Sequence, residues 1–154
     1  MPPPILLDTG PLVAFLNRRD RHHQWAVAQW ASVKPPFVTY EAVLAESCFL
    51  FGGRWKDQTV TQLLIRGIVT VPSHLDEAMP TVAKWLFRYA SGPMSLADAC
   101  LVLMAERYSS GLVMMLGHDF RVYRTHGRQA IPSLMFGDLW PNGQTSQNAA
   151  RRCS

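Results

Sequence analysis

Long apolar runs are missing from this 154-residue chain. Each is cut after a handful of residues by a charge, a Gly or a Pro, whereas a membrane-spanning helix needs about 20. No membrane segment is expected. Cysteine is scarce: there are three, an odd number, at positions 48, 100 and 153, with no Cys-x-x-Cys spacing. That argues against a disulfide framework or a cysteine-based zinc site and suits a reducing compartment. The five histidines show no His-x-x-x-His or His-Glu-x-x-His spacing, so the helical zinc-hydrolase pattern is absent. Acids are outnumbered, 11 against 15 basic residues, and lysine is rare, 12 of those 15 being Arg. The first residues, MPPPILLD, have no basic region and too short an apolar stretch for a secretory signal. A cytoplasmic location is the expectation.

What is present describes a globular chain. Apolar residues make up 48% and charged residues 17%, which excludes a disordered protein, and the length suits one domain with a real core. Residues 1–140 are read as that domain. From Pro141 the composition shifts to NGQTSQNAARRCS, expected to be a disordered tail, residues 141–154. Strands are expected at Ile5–Leu7, Phe37–Thr39, Ile68–Val71, Leu112–Leu116 and, at an edge, Ala130–Pro132. Helices are expected at about Pro11–Asn17, His22–Val33, Glu41–Phe51, Asp57–Arg66, Asp76–Tyr89 and Ser95–Tyr108, with a short helical piece near Gly127. Strands that alternate with helices and are apolar throughout predict a mostly parallel sheet covered on both faces.

Four acids sit in awkward places. Asp8 ends the apolar run ILLD and precedes Thr9-Gly10-Pro11. Glu46 lies in EAVLAESCFLF, where Ala42, Val43, Phe49 and Leu50 share its helical face, a poor place for an unpaired carboxylate. Asp98 stands three residues after Ser95 in SLADACLVLMAERY, among the small residues Ala97, Ala99 and Cys100. Asp119 follows the strand in VMMLGHDFRVYR. Helix capping is an adequate explanation for Asp8, Asp98 or Asp119 taken alone, and Glu41, in a first helical turn, is structural.

Taken together, four acids from remote segments suggest one acidic pocket. In parallel α/β sheets ligands bind outside the carboxyl ends of the strands, and Asp8 and Asp119 both follow such an end. Clustered carboxylates repel and require a cation; an oxygen-only donor set selects Mg²⁺ or Mn²⁺ over zinc. With those four gathered inside, the remaining surface carries 15 basic groups against 7 acidic. An Arg-rich surface suits a polyanion. Acidic pocket and basic surface together point to metal-assisted phosphodiester hydrolysis.

The pieces LLDTGPLVA, VLAES, SLADACLVLMAER and GHDFRVYR, in this order, resemble the PIN domain, and most closely the VapC-type ribonuclease toxins of bacterial toxin–antitoxin pairs. The likeness runs from Ile5 to about Trp140. It implies a PIN-like three-layer α/β/α sandwich with a mostly parallel central sheet and Mg²⁺- or Mn²⁺-dependent cleavage of RNA. It also implies inhibition by a cognate antitoxin and a homodimer. Residue by residue, it implies Asp8 and Asp98 as main metal ligands and Glu46 as the residue for a water or a second ion. Arg121 and Arg124, with His118 and Arg128, would meet RNA or an antitoxin carboxylate. Phe51, Trp55, Leu63 and Leu64 could offer a groove or dimer surface to an amphipathic helix, although each taken singly reads as ordinary core.

One piece departs from the family pattern. Related sequences read Thr-x-Asp-x-Asp-Phe where this chain has Met115-Leu116-Gly117-His118-Asp119-Phe120. Gly117 replaces the fourth acid, and Asp119 matches the second, less critical one. Two rival readings follow. In one, a weakened PIN-like protein binds RNA or an antitoxin without significant turnover. In the other, Asp8 is a phosphoryl-accepting nucleophile; haloacid-dehalogenase-like phosphatases, however, need an acid two residues further on, where this chain has Gly10.

Overall fold

The computed structural model describes residues 3–54, 56–92, 94–116, 123–125 and 129–135. β1 (Ile5–Leu7) leads into α1 (Thr9–Leu16) and α2 (His23–Ser32). β2 (Phe37–Val38) leads into α3 (Glu41–Phe51) and α4 (Lys56–Ile65), and β3 (Val69–Thr70) into α5 (Leu75–Arg88) and α6 (Leu96–Arg107). β4 (Leu112–Met115), β5 (Arg124–Thr125), β6 (Gln129–Ala130) and β7 (Ser133–Met135) follow.

Five strands form one sheet in the order β3-β2-β1-β4-β7, every neighbouring pair parallel. Because side chains alternate across a strand, β1, β2 and β4 each feed two cores. Ile5 and Leu7 pack with Leu12, Trp25, Phe37 and Met114 on one face. Leu6 packs with Val38, Trp85, Leu101, Val113 and Met115 on the other. Helices cover both faces, which is the expected three-layer α/β/α sandwich. α6 shows why: Ala97 and every residue from Ala99 to Ala105 are buried, as an almost wholly apolar helix requires.

Two expectations near the C-terminal end need correction. The edge strand is Ser133–Met135, not Ala130–Pro132. Pro132 has no N–H to give to a ladder; its carbonyl accepts from the Val113 amide at 2.9 Å, and pairing with β4 then begins at Ser133. Gln129–Ala130 pairs instead with Arg124–Thr125 as an antiparallel hairpin, so residues 124–125 are not helical. Gly127 and the tail 141–154 lie outside the described residues. Among the described residues, no helix is long and apolar enough to cross a membrane.

The turn from α6 into β4 depends on Gly111. A Cβ there would stand 2.9 Å from the Tyr108 carbonyl oxygen and 3.3 Å from Leu6 Cδ1. The Gly111 amide already donates to that carbonyl at 2.7 Å, so the backbone has little room to give. Gly111→Ala is expected to destabilise the fold by about 1–3 kcal/mol, as overpacking does. An unchanged urea midpoint would show that this turn yields more easily than the contacts imply.

Candidate active site

From β1 the chain steps to β2 and β3 on one side, then returns to β4 on the other side of β1. The boundary between β1 and β4 is thus the switch point at whose carboxyl end α/β sheets bind ligands. Asp8 is the first residue past β1, and its amide donates to the Met114 carbonyl of β4 at 3.2 Å. Gly10 allows the start of α1 to approach the same place: a Cβ there would lie 3.3 Å from Leu116 Cδ1, just beyond β4.

Asp8 does cap a helix. It is the N-cap of α1, its Oδ1 accepting from the Thr9 amide at 2.7 Å. Asp98 also caps, in a full capping box: the Asp98 amide donates to Ser95 Oγ at 3.1 Å and the Ser95 amide donates to Asp98 Oδ2 at 3.0 Å. Glu46, halfway along α3, accepts from the Thr9 hydroxyl, Oγ1 to Oε2, at 2.6 Å. All three carboxylates are half-buried.

The electrostatics link them. Although some of its surface reaches solvent, burial pushes the Asp8 carboxyl up from the ordinary 3.8 to about 7, against the Thr9 amide bond that lowers it. Repulsion from Asp98 and from Glu46 pushes it further in the same direction. Among the described residues, no Lys or Arg pulls the value back. Capping alone does not explain this, since a cap needs no second and third acid beside it. A strongly perturbed carboxyl with two acidic neighbours is an arrangement that functional sites share.

The donor set fits a hard divalent cation, being carboxylate oxygen throughout. Among the described residues, no three His, Cys, Asp or Glu side chains are placed to hold an ion together. Mg²⁺ makes no such demand, because it keeps several waters and is bound through one or two carboxylates. Asp8 and Asp98 would hold it, with Glu46 beside them.

Gly117, His118, Asp119, Arg121 and Arg128 lie outside the described residues, as does the side chain of Arg124. One basic residue is committed to structure: Arg107 donates to Ser73 Oγ at 2.8 Å and to the Tyr40 hydroxyl at 3.3 Å. For the apolar residues named as a groove on α3 and α4, the structure favours the core reading. Phe51, Leu63 and Leu64 are partly buried, the latter two against the core, and Trp55 is outside the described residues. Phe49 and Leu50, expected on a core face with Glu46, are 78% and 57% exposed. α3 is apolar on nearly every side, and it buries the Val43–Ser47 stripe instead. Ile65 of the adjoining α4 is 74% exposed. The Thr9 hydroxyl bond to an acid 37 residues away has no local signature in the sequence.

A model of the PIN domain matches residues 5–125, and the chain belongs to that family. Among solved structures, it is similar to VapC20 of Mycobacterium tuberculosis, a toxin that cleaves the Sarcin-Ricin loop. That likeness has a TM-score of 0.69 at 24% identity and covers 77% of this chain and 93% of the other; it concerns the fold. No curated protein matches the chain.

Proposed function

We propose that the protein is a metal-dependent endoribonuclease that hydrolyses RNA phosphodiester bonds, the toxin of a VapBC-type toxin–antitoxin module. The observation that carries this reading is the electrostatic coupling of Asp8, just past β1, to Asp98 and Glu46: burial and these two acidic neighbours drive the Asp8 carboxyl up. Membership in the PIN family supports it, and so does a fold shared with a toxin described as cleaving the Sarcin-Ricin loop. A bound Mg²⁺ or Mn²⁺ would lower the pKa of an attacking water and offset charge growing on the phosphate. Asp8 and Asp98 would hold the ion, Glu46 would orient water or a second ion, and Asp119 would complete the set. Arg121 and Arg124, with His118, would bind the RNA backbone or an antitoxin carboxylate.

The partners in this reading are RNA, a cognate antitoxin and a second copy of the chain, all in the cytoplasm. Exposed Phe49, Leu50 and Ile65 support a partner surface on α3 and α4, since large apolar side chains left in solvent are what an interaction site would cover. A second reading is favoured by Gly117, which stands in place of an acid. In that reading the protein binds RNA or antitoxin with little turnover.

The test compares wild type with Asp98→Asn on single-stranded RNA and tRNA, in Mn²⁺, in Mg²⁺ and in EDTA. Cleavage that needs the metal and is lost in Asp98→Asn is the expected result. Asn keeps an oxygen for the Ser95 amide, so the capping box survives and the loss reports on charge. Equal activity of the two folded proteins would remove the nuclease reading, and RNA or antitoxin binding without turnover would favour the second.

A further inference from the structure

Thr9 touches two of the three acids. Its amide donates to Asp8 Oδ1 at 2.7 Å and its hydroxyl to Glu46 Oε2 at 2.6 Å. The residue is 5% exposed. A hydroxyl has one proton to give, and here it is spent on a carboxylate across 37 residues. The distance is that of a charge-assisted bond. The branched Cβ restricts χ1, so the direction of the hydroxyl is set by the start of α1. That start is fixed in turn by the Asp8 cap.

Glu46 has no comparable local support. It sits mid-helix in α3, half-buried, on a side chain with three rotatable bonds. The Thr9 bond occupies Oε2 and leaves Oε1 as the oxygen that can face a cation or a water. We infer that Thr9 is a positioning residue that holds Glu46 ready for the divalent ion. Fixing a ligand before binding removes an ordering cost that would otherwise weaken the site. This inference rests on the nuclease reading.

The experiment titrates Mn²⁺ alone into the full chain by calorimetry, for wild type, Thr9→Val, Thr9→Ser, Glu46→Gln and the Thr9→Val/Glu46→Gln double variant, with Asp98→Asn as control. Thr9→Val preserves shape and removes the hydroxyl. It is expected to weaken Mn²⁺ binding by about 10-fold, the low end for loss of a group supporting a ligand. Thr9→Ser is expected to restore affinity to within about 3-fold of wild type, because the hydroxyl returns. In the Glu46→Gln background, Thr9→Val is expected to cost nothing further, since the two act as one unit. RNA cleavage should follow the same order. Thr9→Ala replaces Thr9→Val should the latter not fold.

Wild-type affinity in Thr9→Val overturns the inference and leaves the nuclease reading standing. An equal Thr9→Val loss in the Glu46→Gln background also overturns it, because Thr9 would then act by supporting the fold. A wild type whose Mn²⁺ binding is nil, or unaffected by Asp98→Asn, removes both.

Discussion

Asp8→Asn is expected to cost at least about a hundredfold in metal-dependent RNA cleavage while making the metal-free protein more stable at pH 8. The two effects have one origin. Asn caps a helix as well as Asp does, so the bond from the Thr9 amide survives the change. What disappears is a charge. Burial and two acidic neighbours hold the Asp8 carboxyl at about 7 instead of 3.8, which means that the metal-free fold resists its ionisation.

The direction of the pH dependence follows from the proton count. Below about pH 4 the folded and unfolded chains both keep the Asp8 proton, and the carboxyl costs nothing. Between about pH 4 and about pH 7 the unfolded chain has released it and the folded chain has not, so stability falls as pH rises. Above about pH 7 both are ionised and the loss is complete. A shift of this size corresponds to a few kcal/mol at most. Water that reaches the half-buried group lowers the expectation to about 1–3 kcal/mol. Urea midpoints in EDTA for wild type and Asp8→Asn should therefore nearly coincide at pH 4.5 and separate at pH 8, with the variant higher. Mn²⁺ at pH 8 should raise the wild type more than the variant. A variant that is no more stable than wild type at pH 8 would show that Asp8 is comfortable without a cation, and the metal reading would lose its main physical support.

The architecture was legible because its signals are local. ILL, FV and LVMM are apolar on both sides, which only a sheet covered on two faces accommodates. Gly52, which directly follows α3, has a φ of 63°, a conformation that glycine adopts freely. The acids were legible as misfits against the same local background. What escaped depends on packing between remote segments. Gln29 is fully buried although its composition class belongs on the surface, and its amide has no hydrogen-bond partner among the described residues. Phe49 and Leu50 face solvent because a helix with apolar residues on most of its sides does not announce which stripe it will bury. The Thr9–Glu46 bond spans two helices, and no spacing rule encodes it. The end of the sheet was misplaced by a few residues because Pro132 contributes only a carbonyl to the ladder.

Gly117→Asp is the converse experiment. If the site lacks its fourth acid at this position, adding one should raise metal-dependent cleavage by at least about tenfold, as a further oxygen ligand holds the ion against dissociation. With position 117 in the site, the same change would add a negative charge beside Asp8, on which repulsion from Asp98 and Glu46 already acts. In EDTA the variant should therefore be less stable than wild type at pH 8, and Mn²⁺ should stabilise it by a larger margin. Gain of activity with loss of metal-free stability is the mirror image of Asp8→Asn, and the two together separate a site built for a cation from acids that merely cap helices. Unchanged cleavage in Gly117→Asp would mean that Asp119 already fills the role, and Asp119→Asn should then abolish turnover. If neither substitution changes cleavage, position 117 and Asp119 both lie outside the chemistry. The working site would then consist of Asp8, Glu46 and Asp98 alone.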